Sequence, residues 1–108
     1  MFTQSDFSCI DRSYFDILEL DPAVVRLRSK RSRHYWRIYC KELSGGKSCL
    51  IQHSHGAYDG MHNHARKKSL VSALNSIVQH DIFQLQCRKK EKHRWDEYRP
   101  VKIREFLA

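Results

Sequence analysis

The sequence predicts an α+β domain, with a mainly antiparallel sheet of about four strands and one long helix packed across one face. Three observations indicate this class. Residues 24–29 alternate apolar and basic side chains with the period of a half-buried strand. Two strand-like segments flank the glycines at 45–46, which is typical of a tight hairpin. Apolar residues then recur at helical spacing from 64 to 80.

The predicted strands follow one another closely along the chain. Residues 14–20 mix aromatic, β-branched and acidic side chains before an Asp-Pro turn signal, which indicates the first strand. Residues 24–29 form the second strand. Residues 34–42 and 47–55 form the two arms of the glycine hairpin. Short local connections of this kind favour an antiparallel order.

Pairing the strands tests whether their apolar faces agree. Between the second and third strands, Leu27 lies opposite Trp36 in the expected register. Val25 then lies opposite Ile38, so apolar residues meet again. A turn centred on the two glycines places Trp36 opposite His55. The shared apolar face is the one that the helix is predicted to cover.

The predicted helix occupies residues 64–80, with Asn63 as its N-cap. Beyond it the pattern is weaker. Residues 82–87 read as a short strand, residues 88–100 as a loop or a fraying helix, and residues 101–107 as either a strand or a terminal helix.

Length and composition limit the classes of protein to consider. A chain of 108 residues without a linker or repeat predicts a single compact domain, residues 1–108. It contains no apolar run long enough to cross a bilayer and no secretory signal pattern, so a cytoplasmic location is expected. Its four cysteines form no C-x-x-C pair, which disfavours a zinc ribbon or a thioredoxin-type site.

Positive charge is concentrated in the second and third strands. The chain carries a net charge of +8, and residues 24–41 hold seven bases and no acid. In the expected register one side of the sheet collects Arg26, Arg28, Tyr35, Arg37, Tyr39 and Lys41, with Lys30, Arg31 and Arg33 in the adjoining loop. Guanidinium groups bind phosphates, and phenol rings stack on unpaired bases. The face therefore predicts a non-enzymatic protein that binds nucleic acid. Because stacking needs unpaired bases, single-stranded nucleic acid is the expected form.

Two features of this surface leave alternatives open. Asp16 and Glu19 of the first strand are placed to neutralise the arginines, which would make the face an ordinary solvated surface. A second basic group, Arg66 to Lys68, begins the predicted helix. Phosphate would bind there at the free amides of the helix N-terminus, or else these side chains extend into solvent.

A histidine group is a weaker candidate for a metal site. Its members are His53, His55, His62 and His64. Residues two apart on a strand share a face, so these imidazoles are placed to bind zinc, or else to pack at the edge of the core. The letters HNH at 62–64 do not make the nuclease motif of that name. No nucleophile, base and orienting acid stand at catalytic spacing, so neither an enzyme nor a cofactor is expected.

Two other classes of function fit the same residues. One is a small protein-binding inhibitor or adaptor, of the kind that phages and mobile elements encode, whose basic face binds an acidic patch of a nucleic-acid enzyme such as a nuclease. The other is a small module stabilised by histidine-bound zinc. Salt separates the first from nucleic-acid binding, because affinity for a polynucleotide falls steeply with log salt concentration.

Overall fold

In the computed structural model the described residues are 1–56 and 60–98, with side chains described as far as Lys89. They form the predicted α+β class, with one strand more than expected. The elements, in chain order, are α1 (Gln4–Ser8), β1 (Phe15–Leu20), β2 (Val24–Ser29), β3 (Tyr35–Leu43), β4 (Gly46–Ser54), β5 (His62–Lys67) and α2 (Leu70–Tyr98).

The five strands form one antiparallel sheet, and their order in space is their order in the sequence. The first four strands agree with the sequence prediction to within one residue at each end. The pairing of β2 with β3 also has the predicted register, with Leu27 opposite Trp36 and Val25 opposite Ile38. Both strands alternate strictly there, so a one-residue slip would have moved every apolar side chain out of the core.

The register between β3 and β4 differs from the prediction by two residues. Trp36 lies opposite His53 rather than His55. The turn begins one residue earlier than expected, because Gly46 already pairs with Leu43. Gly46 has φ 136°, a conformation that side chains rarely adopt, so it needs glycine at the first position of β4. A slip of two residues keeps each side chain on its predicted face.

The segment predicted to begin the long helix is instead the fifth strand. Residues His62–Lys67 pair with the free edge of β4, and a bulge at His64 interrupts their alternation. The helix begins at Leu70. Its cap is Ser69, whose Oγ accepts a hydrogen bond from the Ser72 amide at 3.1 Å, so Asn63 does not cap it. The bulge concealed the strand because it breaks the period of two.

Helix α2 continues through the segments expected to follow it. The predicted short strand at 82–87 is helical, as are residues 88–98. A short apolar run fits a strand and a helix equally well, and here the preceding helix extends through it. One result is that Phe83 is 61% exposed. The prediction for residues 101–107 lies outside the described residues.

The core lies between α2 and one face of the sheet. Leu70, Ala73, Leu74 and Ile77 repeat at helical spacing and pack with the apolar sheet residues. The rest of the buried apolar cluster consists of Phe2, Ile10, Phe15, Val25, Leu27, Trp36, Ile38, Cys49 and Ile51. The opposite face of the sheet carries the cationic residues of β2 and β3.

Candidate functional site

The open face of the sheet carries the cations and phenols that the sequence singled out. We call basic face the set Arg26, Arg28, Tyr35, Arg37, Tyr39, Lys41 and Arg66. Alternation along β2 and β3 places the first six opposite the core, because their neighbours Leu27, Trp36 and Ile38 are fully buried. Tyr39 is 38% exposed and Tyr35 is half-buried.

Two arginines of the basic face are paired with acids of β1. The Arg28 guanidinium donates to Asp16 Oδ2 from Nε at 3.1 Å and from Nη2 at 2.6 Å. Arg26 Nη1 lies 3.6 Å from Glu19 Oε2. The neutralising acids expected as one alternative are therefore present, and they reduce the charge that these two arginines offer to a ligand.

Arg37 is held differently, by a neutral partner. Its Nε and Nη2 donate to Gln52 Oε1 at 3.0 and 2.8 Å, and Gln52 Nε2 donates in turn to Asn63 Oδ1 at 2.9 Å. The guanidinium carbon lies 5.1 Å from the centre of the Tyr39 ring. These contacts fix the guanidinium in place without cancelling its charge, since a carboxamide carries none.

Further cations surround this arginine. Arg66 of β5 pairs with Leu50, which pairs with Tyr39, so Arg66 extends the basic face across the sheet. Arg31 and Arg33 are exposed in the β2–β3 loop. Lys30 of the same loop is tied down, because its Nζ donates to the Arg12 carbonyl at 2.9 Å. Among the described residues, no acid lies within salt-bridge distance of Arg31, Arg33, Arg37, Lys41 or Arg66.

The predicted phosphate site at a helix N-terminus does not form. Arg66 and Lys67 lie in β5, and Lys68 lies in the bend before α2. Lys67 pairs with the buried Cys49, so it belongs to the other side of the strand from Arg66. The basic cluster is therefore divided between two faces of the sheet.

Under the sheet, six imidazoles come together from five places in the chain. We call histidine cluster the set His34, His53, His55, His62, His64 and His80. Neighbouring rings lie with centroids 4.5 to 6.2 Å apart. His53 is central, and it stacks on Trp36 at 4.9 Å. The chain contains seven histidines, and six of them converge here.

Sequence reasoning found four members of this cluster and missed two. His34 precedes Trp36 by two residues, which places it on the same side of the chain as the core. His80 follows Ile77 by three residues and continues the apolar stripe of α2. Both spacings can be seen in the sequence. Only the folded structure shows that they bring the two side chains to the same cluster.

Several nitrogens in the histidine cluster are buried and have no hydrogen-bond partner among the described residues. They are His34 Nδ1, both ring nitrogens of His53, and His80 Nε2. Two groups of three have ligand atoms within 4.8 Å of one another: His34, His53 and His80, and His53, His55 and His62. Buried polar atoms normally find partners, so the arrangement needs an explanation.

Burial keeps His34, His53, His64 and His80 neutral near pH 7 by lowering their pKa values. Desolvation first, and then the neighbouring imidazoles, lower the pKa of His53 to about 4. Desolvation is also the leading cause that lowers the pKa values of His34, His64 and His80. A neutral imidazole keeps one nitrogen lone pair free to accept a proton or bind a metal ion.

We expect acid to destabilise the metal-free protein through His53. A lowered folded pKa means that the neutral ring contributes its full stability above about pH 6.5, the ordinary histidine value, and that this contribution is lost as pH falls towards 4. The loss amounts to roughly 3 kcal/mol. Urea unfolding in EDTA at a series of pH values measures it. In the His53→Gln variant the free energy of unfolding should fall less steeply as pH is lowered. If it falls by the same amount in both proteins, the prediction is contradicted.

Asp81 adds a buried negative charge beside the cluster. It is fully buried, and its Oδ2 accepts a hydrogen bond from the Tyr14 hydroxyl at 2.7 Å. Burial first, and then this carboxylate, raise the pKa of Tyr14, which keeps the phenol protonated as a donor. Asp81 Oδ1 has no partner among the described groups.

No protein-family model, no curated protein and no solved structure matches this chain. Among the residues that the structure describes, no helix has both the length and the apolar character that crossing a membrane requires. Conclusions about function therefore come from the two sites themselves.

Proposed function

We propose that the protein is a non-enzymatic binder of single-stranded nucleic acid and that the basic face is its binding surface. The observation that carries this proposal is the fixed, uncompensated guanidinium of Arg37 against the partly exposed ring of Tyr39. A cation for phosphate and a flat ring for a base stand side by side, which is the combination that single-strand binders use. A cytoplasmic location stays a prediction.

Each residue of the basic face has a role under this proposal. Arg37 contacts a phosphate, and Tyr39 stacks on the adjoining base. Lys41 and Arg66 contact neighbouring phosphates, since neither is paired with an acid among the described residues. Arg31 and Arg33 extend the positive surface at the loop.

Arg26 and Arg28 are given a smaller role than the sequence suggested. Their salt bridges to Glu19 and Asp16 occupy the donor groups that a phosphate would need. A ligand would have to displace a carboxylate before binding either of them. We therefore expect alanine at these two positions to weaken nucleic-acid binding less than alanine at Arg37.

Fluorescence anisotropy with labelled oligo(dT) and oligo(U) of about 15 nucleotides tests the proposal directly, since a single fold of this size typically covers about 4–16 nucleotides. If Arg37, Lys41 and Arg66 each contact one phosphate, the logarithm of the binding constant should fall with log salt concentration at a slope of about −2. Tyr39→Ala should weaken binding by about 5- to 150-fold, the loss of one stacked base. Arg66→Ala should weaken it and make the salt slope shallower by about 0.7.

The matched control is Lys67→Ala, which also removes one positive charge from an exposed position of β5, but on the other side of the strand. It should leave the affinity nearly unchanged. Equal effects of Arg66→Ala and Lys67→Ala would mean that only net charge matters. Failure of the wild type to bind either oligonucleotide more tightly than about 100 µM at 50 mM salt would overturn the proposal, and an acidic protein surface would then be the partner to test.

A further inference from the structure

We propose that His34, His53 and His80 bind one zinc ion between the sheet and helix α2. The three side chains come from three places in the fold: the residue before β3, the strand β4 and the helix. Their ligand atoms lie within 4.8 Å of one another, on the opposite side of the sheet from the basic face. The site is thus independent of the proposed nucleic-acid surface.

The main support is the set of unpartnered nitrogens. His34 is 4% exposed and His53 is 7% exposed, yet in the part of the chain that the structure describes no group hydrogen-bonds to one ring nitrogen of each, nor to Nε2 of His80. A buried polar atom without a partner costs about 1–3 kcal/mol in general. One metal ion would give all three residues a partner at once.

The distances allow such an ion with small side-chain movements. Tetrahedral zinc with bonds of about 2.0–2.1 Å to nitrogen places its ligand atoms roughly 3.4 Å apart. The ligand atoms here lie within 4.8 Å of one another, so closing the site around zinc requires them to approach by at most about 1.4 Å. A fourth position would remain for water, as in zinc sites with three protein ligands.

The neutral imidazole ligands determine which metal ions the site can bind. Calcium and magnesium require oxygen ligands, whereas zinc, copper and nickel accept imidazole. The described cysteines are absent from both groups of possible ligands, which disfavours ions that need thiolate. Zinc has no preferred geometry of its own and so suits ligands gathered from three elements. The buried carboxylate of Asp81, next in sequence to His80, supplies negative charge near the ion.

The inner group is favoured over His53, His55 and His62 because of burial. His55 and His62 are exposed and can satisfy their nitrogens with water. The inner residues have no such alternative. Binding there would also join α2 to the sheet.

In the observed conformation Arg88 competes with a metal ion for His34. Its Nη2 lies 3.2 Å from His34 Nε2, where the guanidinium donates to the ring lone pair. Zinc binding by the buried Nδ1 of His34 puts the ring proton on Nε2, which then faces the guanidinium donor, so this exposed arginine has to move aside. Arg88→Ala should therefore tighten zinc binding, and an unchanged affinity would remove His34 from the ligand set.

The test uses protein without a histidine tag, freed of metal with EDTA and titrated with ZnCl₂ by calorimetry. We expect one ion per chain, with a dissociation constant below about 10 µM, and a rise in melting temperature on zinc addition. His80→Gln should weaken binding by more than about 100-fold, since changes to outer partners of metal ligands alone cost about 10- to 100-fold. His62→Gln, a change of the same kind in the outer group, should bind as the wild type does.

Cobalt gives a second readout that does not depend on stability. Intense visible absorption on adding Co²⁺ would indicate a tetrahedral site, and His80→Gln should abolish it while His62→Gln retains it. Absence of zinc binding by the folded wild type would overturn the proposal. So would the reverse pattern, in which His62→Gln abolishes binding and His80→Gln does not. If His80→Gln fails to fold, His34→Gln replaces it in both measurements.

Discussion

Replacing Trp36 with alanine is expected to cost about 3–5 kcal/mol of the free energy of unfolding. Trp36 is fully buried and is the largest such side chain among the described residues. It lies in the third of five strands, under α2, and one side of its indole stacks on His53. Alanine leaves a cavity that the surrounding strands cannot collapse to fill. For a domain of this length the loss is a large part of a total of about 5–15 kcal/mol.

Trp36→Phe is the matched control, because it keeps an aromatic ring and removes the indole N–H. Trp36 Nε1 donates to the buried Ser29 Oγ at 3.0 Å, so phenylalanine leaves that hydroxyl without its partner. We expect a cost of about 1–3 kcal/mol, clearly smaller than for alanine. Urea unfolding followed by circular dichroism measures both variants. Equal costs would show that the hydrogen bond, and not the ring volume, accounts for the stability.

Much of the fold could be predicted from the sequence because two strands alternate without interruption. In β2 and β3, period-two spacing fixes both the faces and the register. The register of β4 was predicted less well, since turn chemistry alone had to choose which residues form the turn. Strand β5 was missed because its bulge at His64 breaks the alternation. Local patterns predict regular strands and fail where the pairing itself is irregular.

The candidate sites, like the fold, could be predicted from the sequence only in part. The membership of the basic face followed from alternation within β2 and β3. Which arginines are neutralised did not follow, since that depends on how β1 pairs: the structure sets Asp16 opposite Arg28 and Glu19 opposite Arg26, with a bulge between. The contribution of Arg66 depends on β5 being a strand. His34 and His80 join the histidine cluster only through contacts between distant segments, which no local pattern contains.

The two sites use opposite faces of the same sheet for different chemistry. On the open face, cations remain charged in solvent, and a neutral amide orients the central one. Under α2, imidazoles are kept neutral by burial. Adjacent residues of β3 serve both sides, because Trp36 supports His53 while Arg37 points the other way. Substitutions on one face should therefore leave the other site in place, provided that the sheet stays folded.

The second large effect is expected at the buried pair formed by Tyr14 and Asp81. Tyr14→Phe should cost about 2–3 kcal/mol, because the phenol is the one donor that the described residues give to this carboxylate. Without it, both carboxylate oxygens are buried and unpaired. The bond also ties the segment before β1 to α2, so its loss loosens the packing of the helix. Urea unfolding of the metal-free protein at pH 7 measures the effect.

A double-mutant cycle with Asp81→Asn separates the charge from the hydrogen bond. Asparagine still accepts from Tyr14 but carries no charge, so the penalty for an unpaired group is smaller. In the Asp81→Asn background, Tyr14→Phe should therefore cost only about 1 kcal/mol, the usual value for a neutral hydrogen bond. The same cost in both backgrounds would mean that the charge of the carboxylate adds nothing to the bond, and would contradict the prediction.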